Sequence, residues 1–203
     1  MFSFKDFQAQ AATRLLADAP VGWNHSDDDM NERARMIPAG VKTKAAAVLI
    51  GIVLREEPMV ILTRRQDHLI QHAGQIAFPG GRLDTGETVL QAALREAEEE
   101  IELARHFVKP LGYLDGFLTI THYVVTPVVA VVSPECSLRP HVGEVAEIFE
   151  VPLAFLMDNT NCQIHAREFN GFTRQFYVYP FGNRYIWGAT AGMIRNLHER
   201  LYA

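Results

Sequence analysis

Gly81-Arg82-Leu83-Asp84-Thr85-Gly86-Glu87-Thr88-Val89-Leu90-Gln91-Ala92-Ala93-Leu94-Arg95-Glu96-Ala97-Glu98-Glu99-Glu100-Ile101-Glu102-Leu103 is the stretch that decides how this chain is read. Thr88 and Gln91 have the spacing of a capping box, in which each side chain satisfies a backbone donor at a helix start. A helix is therefore predicted from Thr88 to about Leu103. At about 100° per residue, Leu90, Ala93, Leu94, Ala97 and Ile101 form one apolar stripe, and Glu96, Glu99 and Glu100 share the face beside it. The stripe packs on a sheet and leaves those three carboxylates at the rim of the core, with Glu98 and Glu102 turned towards solvent. Helix stability does not select such a face, because like charges three and four residues apart repel and acids near a helix C-terminus oppose its dipole. A solvated acidic face is the bland reading of a glutamate run, and only the residues around it decide otherwise.

The charge distribution isolates the same segment. Between Gly81 and Leu103 stand seven acids and two bases, which account for the whole net charge of −5, while the rest of the chain balances 17 acids against 17 bases. Nothing in that balance suggests duplex nucleic acid as a partner. With 203 residues, 48% hydrophobic and 21% charged, the chain can bury a sizeable core in one domain. Its longest apolar runs, 45–54 and 123–132, fall short of the roughly 18 residues that a membrane helix needs. Residues 1–6 lack a secretory pattern and 201–203 form no peroxisomal tripeptide, so a cytoplasmic address is expected. Cys136 and Cys162 lack metal-cage spacing and read as reduced thiols.

Outward from the acidic helix, residues 45–55 and 59–63 are β-branched-rich runs separated by Glu56-Glu57-Pro58, a predicted hairpin. Further strands are predicted at 111–117, 123–132 and 145–151, and a last hairpin at 168–186 leads into a helix over 190–201. Apolar spacing at Phe4, Phe7, Ala11 and Leu15 predicts an N-terminal helix over 4–17, and 21–44 reads as a loop or arm. Strands interleaved with helices imply a mixed α/β layered domain, organised as a helix and arm over 1–44 and a main domain over 45–203.

Gly81, five residues, Glu87, seven residues, Arg95-Glu96, then Ala97-x-Glu99-Glu100 closely resembles the Nudix box, G-x5-E-x7-R-E-U-x-E-E-x-G-U with U aliphatic. Six fixed identities fall in register, a coincidence on the order of once in ten million windows at average residue frequencies. Leu103 meets the last aliphatic position, and Glu102 replaces the last glycine, a residue that serves backbone conformation rather than a ligand. The resemblance implies a Nudix α/β/α sandwich with a mixed sheet. It implies that Glu96, Glu99 and Glu100, with the Gly81 carbonyl, bind Mg²⁺ or Mn²⁺, for which hard carboxylate oxygens suit. Arg95 and Glu87 would be the ion pair that aims these carboxylates. The implied reaction is hydrolysis of a pyrophosphate bond in a nucleoside diphosphate derivative. A general base is also required; Glu144 and Glu147 are the candidates outside the box.

The preceding segment, Leu62-Thr63-Arg64-Arg65-Gln66 to Gly74-Gln75-Ile76-Ala77-Phe78-Pro79-Gly80-Gly81, resembles the coenzyme A pyrophosphatase signature L-L-T-x-R-[S/A]-x3-R-x3-G-x3-F-P-G-G. Gln66 and Ile70 depart from it. That resemblance implies coenzyme A or an acyl derivative as substrate, with Arg65, Arg64, Gly74, Phe78 and Gly80 as binding residues. Arg64, His68 or His72 could supply the charge that Ile70 lacks, since a guanidinium there could hold a phosphate bidentately. ADP-ribose, NADH or a damaged nucleotide is the alternative substrate, and a nucleotide-sensing module without turnover is the alternative of another class. A homodimer is implied by the family alone. His68 and His72 have helical metal-ligand spacing but no third ligand nearby, and Ser133, Cys136 and His141 lack a nucleophile elbow. Tyr179, Phe181 and Trp187 are candidates to stack on a base, against the commoner role of filling core.

Overall fold

The structure, a computed structural model, describes residues 2–31, 36–69, 73–169 and 171–203. In chain order its elements are α1 (Phe4–Arg14), β1 (His25–Ser26), β2 (Lys44–Leu54), β3 (Pro58–Arg65), β4 (Ile76–Ala77), β5 (Gly80–Arg82), α2 (Val89–Ile101), β6 (Val108–Tyr113) and β7 (Phe117–Leu118). They continue with β8 (Tyr123–Val132), β9 (Val145–Pro152), α3 (Leu153–Leu156), β10 (Gln163–Phe169), β11 (Phe172–Phe181), β12 (Arg184–Trp187) and α4 (Gly188–Tyr202).

The unbroken apolar run in β2 follows from its central place. It pairs in parallel with β8 and antiparallel with β3 and β5, and both of its faces are buried. Ala46, Ile50 and Ile52 belong to one core, with Phe7 of α1 and Met193 and Leu197 of α4. Ala47, Leu49 and Val53 belong to the other, with Ala93, Ala97 and Ile101 of α2. Alternation along one strand thus feeds two layers, helix α2 on one side and helices α1 and α4 on the other. This is the expected mixed-sheet α/β/α sandwich. Among the described residues, the main sheet has nine strands and β10, β11 and β12 form a separate antiparallel sheet.

Three details differ from the sequence reading. The strand predicted at 111–117 is two, β6 and β7, because the backbone of the N-terminal arm crosses at Gly116. A Cβ there would lie 2.1 Å from the Gly22 carbonyl oxygen. The arm itself contains a short strand, β1, parallel to β7. The final hairpin is a three-stranded meander from Gln163 to Trp187. None of the described helices is long and apolar enough to cross a membrane.

Candidate active site

Helix α2 begins as its sequence demands. The Thr88 side chain accepts from the Gln91 backbone N–H, and the Gln91 side chain accepts from the Thr88 backbone N–H at 2.9 Å. It ends on Glu102, which takes a left-handed conformation (φ 54°, ψ 28°) and so does the work of the glycine it replaces. Ala93, Ala97 and Ile101 are buried and Glu98 and Glu102 are exposed; of the three carboxylates expected at the rim, Glu96 is half-buried there, Glu99 is exposed and Glu100 is buried.

Arg95 is the hub of the loop that precedes this helix. Its Nε and Nη2 donate to the two carboxylate oxygens of Glu87 at 2.9 and 3.0 Å, a fork on a fork. Nη2 also donates to the Arg82 carbonyl at 3.0 Å, and Nη1 to Glu96 at 2.8 Å and Glu99 at 3.1 Å. The Asp84 N–H donates to Glu87 at 3.0 Å. Arg95 and that N–H together hold the Glu87 carboxyl below the usual range. One guanidinium therefore locks the loop to the helix and orients two of the three carboxylates.

The third carboxylate is inside. Glu100 is 6% exposed, accepts from the Gly80 N–H at 3.2 Å and has Arg65 at 3.6 Å. Burial pushes its carboxyl up to about 7, against the pull of Gly80 and Arg65 and with the negative charges of Glu96 and Glu144 adding to the rise. Glu96 is also raised, by burial first, although Arg95 counters it. The glycines are required by contact: a Cβ on Gly81 would sit 2.4 Å from the Glu96 carboxylate, and one on Gly80 2.3 Å from the Ala47 carbonyl oxygen.

Among the described residues, no three His, Cys, Asp or Glu side chains already enclose a metal position. Glu96 and Glu99 lend oxygens to Arg95, and Glu100 is turned to Gly80. The donor set nevertheless fits a hard divalent ion. With the Gly81 carbonyl it is all oxygen, and burial raises the carboxyls of Glu96 and Glu100.

A cavity of about 480 Å³ opens beside these carboxylates. Arg65, Phe78, Gly80, Gly81 and Arg82 line it, as do Phe176 and Trp187, which are in edge-to-face contact at 5.5 Å. Of the binding residues expected from the sequence, Arg65, Phe78 and Gly80 meet in this cavity. Arg64 is not among its lining residues; its guanidinium is on Asp67 at 2.9 Å and near Glu147 at 3.9 Å. Gly74 also lies elsewhere, in a turn at φ +66°. Ile70 and His72 lie outside the described residues. The two base candidates separate: Glu147 is bound by Arg184, whereas Glu144 is exposed and close enough to raise the carboxyls of Glu96 and Glu100. Of the aromatics, Tyr179 is core at 1% exposure, Phe181 packs on Phe155, and Trp187 alone of the three lines the cavity. Sequence reasoning missed Asp27, Arg174 and Phe176, which carry no motif and reach the cavity only through tertiary folding.

Comparison with known proteins agrees with this geometry. Residues 43–169 match the family described as NUDIX domain. A protein of Escherichia coli O1:K1 named as an uncharacterised Nudix hydrolase, NudL, is 41% identical over 158 residues, covering 76% of this chain and 81% of that protein. A solved MutT/nudix family protein from Enterococcus faecalis superposes with a TM-score of 0.51 at 14% identity, over 81% of this chain and 64% of its own. A Deinococcus radiodurans structure does so with a TM-score of 0.51 at 13% identity, over 82% of this chain and 88% of its own. These two likenesses speak to the fold.

Proposed function

Because the chain belongs to the Nudix family, whose hydrolases act with divalent metal ions on small nucleotide derivatives, we propose that it hydrolyses the pyrophosphate bond of coenzyme A or acyl-coenzyme A. The products are 3′,5′-ADP and 4′-phosphopantetheine or its acyl form. The observation that carries this reading is the cavity itself: Arg65, Phe78 and Gly80, which match the coenzyme A pyrophosphatase signature, line it together with Gly81, whose Cα is packed against the Glu96 carboxylate. The reading has the enzyme act in the cytoplasm, as a homodimer.

Each residue has a definable task. Held by Glu96, Glu99, Glu100 and the Gly81 carbonyl, Mg²⁺ or Mn²⁺ would neutralise the diphosphate and acidify a bound water. Arg95, fixed by Glu87, keeps Glu96 and Glu99 on one side of the loop. Arg65 brings a positive charge to the diphosphate from beside Glu100. Glu144, exposed at the site's edge, accepts the proton of the attacking water as one P–O bond of the anhydride breaks.

The test is product formation from coenzyme A, ADP-ribose, NADH and 8-oxo-dGTP side by side, with Mg²⁺, Mn²⁺ or EDTA. Release of 3′,5′-ADP from coenzyme A in preference to the other reactions, abolished by EDTA, is the expected result. Preference for another substrate would overturn the coenzyme A assignment and leave the hydrolase. Ligand-induced thermal shift without turnover would favour the sensing module.

A further inference from the structure

The cavity has a wall that the family match does not reach. The match begins at residue 43, yet Asp27 of the N-terminal arm lines the same space as Gly80 and Gly81. The arm is held there by a dense set of bonds. β1 pairs with β7, and the Asp27 N–H donates to the Leu118 carbonyl at 3.0 Å. Asp28, 7% exposed, binds Arg174 at 2.8 Å and accepts from the N–H groups of Met36 and Ile37. Asn31, 5% exposed, exchanges two hydrogen bonds with the Gln175 backbone, at 2.8 and 2.9 Å, at a position of β11 that pairs with Ala166 of β10 and lies beyond its pairing with β12. The wall is built rather than draped.

Asp27 differs from its two neighbours in what its side chain does. The Asp28 and Asn31 side chains are spent on holding the arm, whereas one Asp27 carboxylate oxygen accepts from the Ile120 N–H at 2.8 Å and the residue lines the cavity that Phe176 also lines. It also borders a smaller cavity of about 220 Å³ that shares Phe176, Gln175 and Gly188 with the larger one. A carboxylate drawn out of water is stabilised by any donor that a ligand brings. Burial raises the Asp27 carboxyl. Beside the Phe176–Trp187 pair, the ligand part that combines a flat ring able to stack with N–H or O–H donors is a nucleoside.

We propose that Asp27 is a specificity-determining residue, its carboxylate accepting a hydrogen bond from an exocyclic amine or a ribose hydroxyl of a nucleoside seated beside Phe176 and Trp187. This rests on the reading of the cavity as a site for a nucleoside diphosphate derivative. It adds the polarity that the site reads and the segment that supplies it.

The test measures binding of ADP, IDP and 2′-deoxy-ADP with Mg²⁺ by calorimetry, to the full chain and to Asp27→Ala and Asp27→Asn, so that turnover is not needed. The wild-type chain is expected to bind ADP about tenfold or more tightly than whichever analogue lacks the donor that Asp27 meets. Weaker IDP would identify the amine and weaker 2′-deoxy-ADP the ribose. Asp27→Ala should collapse that ratio towards one, and Asp27→Asn, which keeps an acceptor oxygen, should retain part of it. A loosened arm would weaken all three ligands together and leave the ratio unchanged, so an unchanged ratio in Asp27→Ala overturns the assignment, as does a wild-type chain that binds all three alike. If the wild-type chain binds none of them, the nucleoside diphosphate reading falls with it.

Discussion

Glu99 is the residue at which function and stability separate most cleanly. Its side chain is 61% exposed and makes one bond to Arg95, so removing its charge leaves the core untouched, whereas a metal site loses a ligand. Glu99→Gln is therefore expected to cut turnover by orders of magnitude while the melting temperature stays within a degree or two of wild type. Near-wild-type activity would refute the metal assignment. Asp27 gives the matching prediction for pH. Its carboxyl titrates ordinarily at 3.8 and is pushed up to about 6 in the fold, by burial and the charges of Asp28 and Asp29, against Arg174 and the Ile120 N–H. As pH rises through that window the unfolded chain gives up its proton first, so stability falls between about pH 4 and pH 6, by up to about 3 kcal/mol, and is level beyond. Thermal melts of wild type and Asp27→Asn across pH 4–8 check this: the variant should lack that part of the slope, and parallel curves would refute the buried ionisation.

At the scale of elements, local signals were enough wherever one strand or helix carried its own pattern. The Thr88–Gln91 box fixed the start of α2, and the double-faced apolar runs fixed β2 and β8, because a strand buried on both sides has little freedom in composition. Legibility failed where another segment's backbone decides the outcome, as at Gly116, where the crossing arm divides β6 from β7, and at β1, a two-residue pairing that His25 and Ser26 do not announce. The C-terminus of α2 lies between these cases. The glycine missing from the box leaves Glu102 at φ 54°, a conformation that costs a side-chain-bearing residue about 1 kcal/mol. Glu102 is exposed, and its backbone N–H donates to the Ala97 and Glu98 carbonyls. Glu102→Gly is thus expected to raise the unfolding free energy by about 0.5–1 kcal/mol in urea titration, with activity unchanged. A loss of stability would show that the carboxylate, rather than the backbone, holds that end.

For the molecule as a whole, the site residues came from the sequence in two classes. The metal-facing set was legible because a loop and one helix hold Gly81, Glu87, Arg95, Glu96, Glu99 and Glu100 within 20 residues. The set lining the cavity from the arm and β11 was not, because Asp27, Arg174 and Phe176 meet only after the arm closes on β11. From that closure we expect helix α1 and the described part of the arm to unfold together with the sheet. Phe7 is fully buried in the core it shares with Ile50, Met193 and Leu197, and stacks on Phe4 at 5.8 Å. Arg14 and Arg200 tie α1 to α4 through main-chain carbonyls at 2.7 and 2.8 Å. Removing the Phe7 ring leaves a cavity between helix and sheet, at a cost of about 3–5 kcal/mol. For a chain of this length that is a fall of roughly 10 °C in Tm. Phe7→Ala should show that fall as one cooperative transition, whereas Val21→Ala, at a fully exposed arm position, should show none. Two separated transitions, or an unchanged Tm in Phe7→Ala, would mean that the helix and arm fold apart from the domain whose substrate wall they supply.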